Sequence, residues 1–221
     1  SSNRLTTMHA NKEPFLRALQ KQKIPKNIIE AFDAIDQGLF FDPVFRKKLY
    51  TGDVIPIGFG EISDPPVALA KMLKHLALKK SWRVLEIGTG SGYSTALLSR
   101  LAGEVVTIEL SEELALSAKK HLLDCGVSNV RQFAGSGTEF DAPLGMFDAV
   151  IVCAACRKRP LPLVRRLKAR GKMVFPMGPE HQQQICVLLN ETDDAEKELF
   201  KTSFHEFCEF GPLQGKYGWL P

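Results

Sequence analysis

The stretch Val84-Leu85-Glu86-Ile87-Gly88-Thr89-Gly90-Ser91-Gly92-Tyr93 joins an apolar run to a turn that contains three glycines. The run predicts a buried strand, and the apolar residues between positions 93 and 101 recur at helical spacing. A glycine-rich turn between a strand and a helix lets a ligand approach the backbone closely, because glycine has no Cβ. This stretch therefore predicts an α/β fold with a polar ligand bound at the end of the strand.

Strand and helix patterns alternate along the chain after this turn. Apolar or β-branched runs predict strands at 84–87, 105–108, 129–133, 148–152 and 172–175, and a helix is predicted at 112–125 with Ser111 as its N-cap. Such alternation predicts a parallel sheet with helices on both faces. Two further runs, 184–189 and 199–208, flank the acidic stretch 191–198 and predict an antiparallel hairpin that closes the sheet.

The N-terminal part of the chain has a different pattern. It predicts helices at 14–22 and 25–37, a loop rich in glycine and proline at 50–66, and a third helix at 66–76. The 221 residues are 44% hydrophobic and 24% charged, which is typical of one folded domain and excludes a disordered or coiled-coil chain. We expect a single domain over 1–221, with N-terminal helices and a substrate loop in 1–65 and the cofactor-binding core in 66–221.

The glycine spacing and two acidic residues indicate which ligand the turn binds. A dinucleotide fingerprint would place its third glycine at position 93, whereas this sequence has it at position 92. Glu86 at the strand end would repel a pyrophosphate but favours a cationic sulfonium or amino group. Glu109 ends the next strand, where an acid accepts hydrogen bonds from ribose hydroxyls. The combination predicts S-adenosylmethionine, with S-adenosylhomocysteine as product; the alternative is a helix cap and a surface acid.

At these residues the chain resembles the protein-L-isoaspartate O-methyltransferases. The resemblance begins in the N-terminal helices and covers about residues 11–219; its clearest parts are 56–65, 84–93, 147–152, 175–178 and 212–215. It implies a Rossmann-like class I methyltransferase fold with a mostly parallel central sheet, a C-terminal antiparallel hairpin and an N-terminal helical extension. It also implies S-adenosylmethionine-dependent methylation of the carboxylate of isoaspartyl residues, which is a protein-repair reaction on peptides and proteins.

The resemblance assigns roles to residues of this chain. The family's catalytic serine falls on Ser63, whose hydroxyl would hold the acceptor carboxylate in line with the methyl group; an ionised carboxylate needs no strong general base. Without the resemblance, Ser63 is better interpreted as the N-cap of the next helix. The expected cofactor contacts are Ile62, Glu86, Gly88, Thr89, Gly90, Ser91, Gly92, Glu109, Leu110, Ser136 and Gly137. The expected substrate contacts are Ile57, Gly58, Glu61, Ala154, Ala155 and Gln214.

Three positions depart from the family pattern. Glu61 places an acid in a loop that is usually neutral, where it would repel an anionic substrate. Ser136 replaces an aspartate that faces the adenine amino group, so we expect weaker cofactor binding. Cys153 replaces a threonine. These departures keep two alternatives open, a different carboxylate acceptor and cofactor binding with little turnover; a third, an RNA acceptor, rests on the basic residues described next.

The net charge of +4 does not by itself require a nucleic-acid or membrane partner. Basic residues are nevertheless concentrated between positions 149 and 179, where there is no acid, and such a patch is a candidate RNA site. The segment lacks the aromatic platform that single strands stack on. We interpret it as a solvated helix face that steers acidic peptides, and nucleic acid as an unlikely partner. The basic residues are Arg157, Lys158, Arg159, Arg165, Arg166, Lys168, Arg170 and Lys172.

Cysteines and histidines give no metal prediction. The five cysteines are an odd number and lie mostly in apolar runs, which favours reduced, buried thiols; the pair Cys153 and Cys156 matches C-x-x-C but has no second pair nearby. The five histidines are scattered along the sequence and predict neither a metal site nor a catalytic triad: His9, His75, His121, His181 and His205. No apolar run is long enough to cross a membrane, so we expect a cytoplasmic protein without a membrane partner.

Overall fold

The computed structural model describes residues 9–192 and 199–219. Six α-helices lie within these residues: α1 (Lys12–Lys21), α2 (Lys26–Ala34), α3 (Pro66–Leu76), α4 (Tyr93–Leu101), α5 (Glu112–Asp124) and the single turn α6 (Leu161–Val164). Nine strands lie there too: β1 (Pro56–Gly58), β2 (Glu61–Ile62), β3 (Arg83–Ile87), β4 (Glu104–Glu109), β5 (Val130–Ala134), β6 (Phe147–Val152), β7 (Leu167–Met177), β8 (Gln183–Asn190) and β9 (Phe200–Cys208). Most of the predicted acidic turn at 191–198 lies outside the described residues.

The main sheet has seven strands in the order β5-β4-β3-β6-β7-β8-β9. Strands β3 to β7 pair in parallel, whereas β8 pairs antiparallel with both β7 and β9. The strand order reverses beside β3, since the chain fills β4 and β5 on one side before it returns to β6 on the other. Such a reversal is where open α/β sheets bind their ligands. The predicted fold class is confirmed, including the parallel core and the antiparallel C-terminal strands.

Alternate residues of each central strand enter different hydrophobic layers. On β3, Val84 packs on the face that carries α1 to α4, and Leu85 packs on the opposite face; both are fully buried. The apolar runs of the central strands follow from this burial on two faces.

None of the helices in the described ranges is long and apolar enough to cross a membrane.

The N-terminal helices pack directly against the start of α4. The ring of Tyr93 contacts Phe32 and Phe40, with ring centroids 6.2 Å and 5.6 Å away, and both phenylalanines are at most 1% exposed. Burying an aromatic side chain of this size contributes about 1.5–3 kcal/mol. The N-terminal extension therefore supports the helix that follows the glycine turn.

The structure corrects three local predictions. The second helix ends at Ala34 and is followed by two 3₁₀ helices, Gln37–Phe40 and Pro43–Lys48, which begin after the aspartates Asp36 and Asp42. The predicted loop 50–66 contains the short antiparallel pair β1 and β2. The basic segment is not a helix face, because only the turn α6 is helical and the residues from 167 to 177 form β7.

Candidate active site

The glycine turn closes the end of β3 as its sequence predicts. Gly88, Gly90 and Gly92 have φ values of +93°, +54° and +91°, a region that side chains with a Cβ rarely adopt. A Cβ on Gly88 would lie 3.2 Å from the carbonyl oxygen of Cys153, at the end of the neighbouring strand β6. The turn is therefore packed backbone to backbone at the point where the strand order reverses.

Glu109 at the end of β4 is tied to this turn. One of its carboxylate oxygens accepts a hydrogen bond from the Gly90 amide at 2.8 Å, and the other accepts one from the Ser111 amide at 3.1 Å. The residue is 8% exposed and lines the cleft above the strand ends. Each carboxylate oxygen keeps a free lone pair, so Glu109 can accept further hydrogen bonds from a diol in the cleft.

Glu86 lies beneath the turn rather than in the cleft, which corrects the prediction that it faces the ligand. It is fully buried, and its carboxylate accepts hydrogen bonds from the hydroxyls of Ser94, Thr95 and Thr107. Burial nevertheless dominates and raises the pKa of Glu86 to about 7. Successive side chains of a strand point to opposite faces, so Glu86 points towards α4. Ile87, the last residue of β3, lines the cleft instead.

Asp64 is a site residue that the sequence analysis did not single out. It lines the cleft next to Glu61 and Glu109, and burial, followed by the nearby Glu86, raises its pKa well above the ordinary range. The Cys153 thiol donates to a Glu86 oxygen at 3.8 Å, and its proximity to Asp64 partly offsets the rise in the pKa of that carboxyl. The only sequence signal for Asp64 as a site residue was its position directly after Ser63.

The cleft thus carries three carboxyl groups, and no Lys, Arg or His is found among the described residues that line it. Burial and the neighbouring Glu109 also raise the pKa of Glu61. An acidic, partly desolvated cleft of this kind favours a ligand that carries positive charge and disfavours a pyrophosphate. The arrangement suits a sulfonium or an amino group.

Ser63 is fixed at the base of the β1–β2 hairpin. Its amide donates to the Ile55 carbonyl and its hydroxyl oxygen accepts from the Ile55 amide, both at 2.8 Å. The interpretation of Ser63 as a helix N-cap is wrong, because α3 begins at Pro66 after Pro65 and has no side-chain cap. The Ser63 hydroxyl keeps its own proton for donation. At the far end of the hairpin, Phe59 is 66% exposed.

The structure brings most of the predicted site residues to one cleft. Its lining includes Ile57, Glu61, Ile62, Gly88, Gly90, Glu109, Leu110, Ser136, Gly137, Ala154 and Gln214. Of the others, Thr89 and Ser91 share a small adjoining cavity with Ser63, Ala155 faces a neighbouring groove, Gly92 precedes α4, and Gly58 lies on the exposed hairpin. The lining also contains residues that were not predicted, among them Asp64, Leu114, Thr138 and the segment 211–213.

Ser136 and Gly137 form the wall of the cleft after β5. The Ser136 hydroxyl lies 3.4 Å from that of Thr138, so this wall of the cleft carries two neutral hydroxyls. A Cβ on Gly137 would lie 2.6 Å from Ile87, so the backbone can take this path only with glycine. The cleft therefore offers neutral hydrogen-bonding groups at this end.

A groove of about 590 Å³ adjoins the cleft on its β9 side. The two share Ile62, Gly211 and Pro212, and the groove is lined further by apolar residues such as Phe207 and Trp219. The Ala155 amide and carbonyl both bond to the segment 211–213, which holds the boundary between the cleft and the groove in place.

Several side chains of the basic segment have partners within the protein. Arg166 donates to the Phe140 carbonyl at 2.6 Å, Lys168 lies 3.3 Å from Asp148, and Lys172 donates to the His75 carbonyl at 2.8 Å.

The five cysteines are free thiols, and burial raises the pKa of both Cys153 and Cys156. Neutral thiols are poor nucleophiles and poor metal ligands, so C-x-x-C chemistry has no support here.

Comparisons with known proteins agree with this geometry. The family model described as protein-L-isoaspartate(D-aspartate) O-methyltransferase matches residues 10–217. A protein-L-isoaspartate O-methyltransferase of Syntrophus aciditrophicus is 38% identical over 192 residues, which are 87% of each chain. One from Magnetococcus marinus is 35% identical and covers 92% of this chain and 88% of its own. In fold, the chain is similar to a Plasmodium falciparum crystal structure assigned to the same enzyme class and bound to S-adenosyl-L-homocysteine, with a TM-score of 0.78, 20% identity, and coverage of 92% and 98%.

Proposed function

Because this chain belongs to the protein-L-isoaspartate(D-aspartate) O-methyltransferase family, we propose that it transfers the methyl group of S-adenosylmethionine to the carboxylate of isoaspartyl residues in damaged proteins. The observation that carries the proposal is the cleft at the ends of β3, β4 and β6, which has three carboxyl groups and no basic side chain among its described lining residues. S-adenosylmethionine supplies an electrophilic methyl group on a positively charged sulfur.

The residues of the cleft fit this cofactor. The Glu109 carboxylate would accept hydrogen bonds from the two ribose hydroxyls, and the narrow path at Gly88 and Gly90 admits the amino-acid part of the ligand beside the backbone. Ser136 and Gly137 would face the adenine. Asp64 would lie near the positive charge, which would favour its ionised form.

Ser63 and the β1–β2 hairpin would position the acceptor. The Ser63 hydroxyl donates to one oxygen of the isoaspartyl carboxylate and leaves the other oxygen directed at the methyl group. Alignment and exclusion of water account for the rate in such a transfer, because the carboxylate is already ionised and no proton has to move. The adjoining groove would hold the residues that flank the isoaspartyl site, through apolar side chains such as Phe207 and Trp219 and through backbone groups.

Glu61 is compatible with an anionic acceptor when it is protonated. Its raised pKa keeps the carboxyl neutral to a higher pH than usual, and a neutral carboxyl can donate a hydrogen bond to the acceptor carboxylate. The partners of the basic segment support the proposal that the acceptor is a peptide rather than a nucleic acid. We place this activity in one domain that spans 1–221 and in the cytoplasm.

Methyl transfer from labelled S-adenosylmethionine tests the proposal. The acceptor is a peptide with one isoaspartyl residue, and its control is the same peptide with a normal aspartyl residue. We expect a base-labile methyl ester on the isoaspartyl peptide alone. Equal labelling of both peptides would indicate another acceptor, labelling of RNA would indicate a nucleic-acid substrate, and cofactor binding without transfer would leave only the binding function.

A further inference from the structure

We propose that His75, His205 and Glu206 form a binding site for a divalent transition metal of the zinc class, away from the cleft. These three side chains come from the last turn of α3 and from the edge strand β9. One ligand atom of each lies within 4.8 Å of the other two. The histidines are scattered along the sequence, but the fold brings His75 and His205 together.

A β-bulge accounts for the convergence. In the pairing of β8 with β9, Cys186 lies opposite Phe204 and Gln184 lies opposite Phe207, so the two residues His205 and Glu206 oppose a single residue of β8. Consecutive strand residues ordinarily point to opposite faces of a sheet, and a bulge breaks that alternation. Here the bulge turns both side chains towards His75.

The geometry is close to what a metal requires. The Nε2 atom of His75 lies 2.9 Å from an Oε2 atom of Glu206, and the rings of His75 and His205 have centroids 4.2 Å apart. Two ligands of a tetrahedral zinc ion, each about 2.0 Å from it, lie about 3.3 Å apart. From the observed spacing of at most 4.8 Å, the ligand atoms need to move by no more than about 1.5 Å.

The surroundings hold the ligands in place. Lys172 donates to the His75 carbonyl at 2.8 Å, and the Ser203 hydroxyl bonds to the Nε2 atom of His205 at 2.9 Å. The His75 side chain is 17% exposed and that of Glu206 is 38% exposed, so solvent can reach the group and water can complete the coordination. Lys71 also acts on Glu206 through its positive charge, which would weaken metal binding without blocking it.

The ligand set indicates the kind of metal. Two imidazoles and one carboxylate suit Zn²⁺, Co²⁺ or Ni²⁺, whereas Mg²⁺ and Ca²⁺ prefer oxygen ligands alone. Bound metal would link the end of α3 to the edge strand β9, and it would stabilise the folded chain because the unfolded chain lacks the preformed site.

Titration of the metal-free full chain with Co²⁺, followed by its visible absorbance, tests the site. We expect one equivalent to bind with a dissociation constant in the micromolar range or below, and Zn²⁺ to displace it. His205→Ala and Glu206→Gln should each weaken binding at least tenfold. Zn²⁺ should raise the melting temperature of the wild-type chain but not that of His205→Ala.

A matched control is available in His181, which pairs with Glu209 at 2.7 Å but belongs to no group of three metal-ligating side chains in the part of the chain that the structure describes. His181→Ala should bind Co²⁺ as the wild type does. Glu206 is exposed, so Glu206→Gln keeps the test valid if a histidine variant fails to fold. No binding by the wild type, equal binding by His205→Ala, or the near-ultraviolet absorbance of a cobalt thiolate would overturn the proposal, since the last would place the metal on a cysteine.

Discussion

The backbone amide of Gly90 donates a 2.8 Å hydrogen bond to the carboxylate of Glu109, so the acid proposed to bind the ribose also orders the turn that we propose receives the rest of the cofactor. Removing the carboxylate should therefore disturb both parts of the cofactor site. This hydrogen bond joins the ends of β3 and β4, which lie side by side in the sheet.

Glu109→Ala should weaken S-adenosylmethionine binding by about 10- to 100-fold, because charge-assisted hydrogen bonds contribute about 1.5–3 kcal/mol. Calorimetric titration of the cofactor measures the change. Glu113→Ala is the control, since Glu113 is an exposed acid on the first turn of α5. Unchanged cofactor affinity in Glu109→Ala would contradict the assigned site.

Ser63→Ala should lower turnover by about 10- to 100-fold and leave the cofactor dissociation constant within about twofold, because the variant loses the proposed bond to the acceptor and, besides that, the bond from the Ile55 amide at the base of the hairpin. Steady-state methylation of an isoaspartyl peptide and calorimetry separate the two effects. The control is Ser99→Ala, whose hydroxyl bonds only within its own helix at 2.6 Å. A parallel loss of cofactor affinity would indicate that Ser63 supports the cofactor instead.

Glu61→Gln should make methyl transfer less dependent on pH. The pKa of Glu61 is raised, so the wild-type carboxyl is neutral at low pH and becomes a repulsive carboxylate as the pH rises through that value. We expect kcat/KM of the wild type to fall over this interval and that of Glu61→Gln to stay level. Profiles that decline in parallel would exclude Glu61 as the cause.

Glu86→Gln should flatten the pH dependence of stability. The pKa of Glu86 is about 7 in the fold against 4.5 for the free group, so its contribution is fully present below pH 4.5 and is lost as the pH rises through 7. The difference amounts to about 3 kcal/mol at most. Urea unfolding of the cofactor-free chain at pH 5 and pH 7.5 measures the loss. An identical loss in the variant would mean that the buried Asp64 or another group carries it.

Tyr93→Phe should leave the free energy of unfolding unchanged or raise it by up to about 1 kcal/mol, because the buried Tyr93 hydroxyl has no hydrogen-bond partner among the described residues. Tyr50→Phe is the matched control, since the Tyr50 hydroxyl accepts from Gln37 and donates to Ile35. That variant should lose about 1–2 kcal/mol. Chemical denaturation compares the two, and equal losses would show that an ordered water satisfies Tyr93.

Local sequence patterns predicted the features that depend on neighbours in the chain. The glycine turn, the helices at 66–76 and 93–101 and the Ser111 cap all follow from short-range rules, and the structure has them at the expected residues. The central strands were predicted to within a few residues, because their burial on both faces leaves continuous apolar runs.

Features that depend on distant residues could not be predicted in this way. Glu86 faces α4 rather than the cleft because of the pleat of β3, which a one-residue change of register would invert. His75 and Glu206 are 131 residues apart in sequence, and only the packing of α3 on β9 and the bulge bring them together. The extent of β7 depends on its pairing with β6 and β8 rather than on its own basic N-terminal half.

The paired hydrogen bonds between Ile55 and Ser63 close the base of a hairpin whose tip carries the exposed Phe59. Exposed tips of this kind accept insertions and exchanges readily, whereas the closed base does not. The tip can therefore diverge between lineages while the serine stays where it is. Exchanges at the tip can in this way alter which polypeptides the proposed enzyme accepts without displacing Ser63.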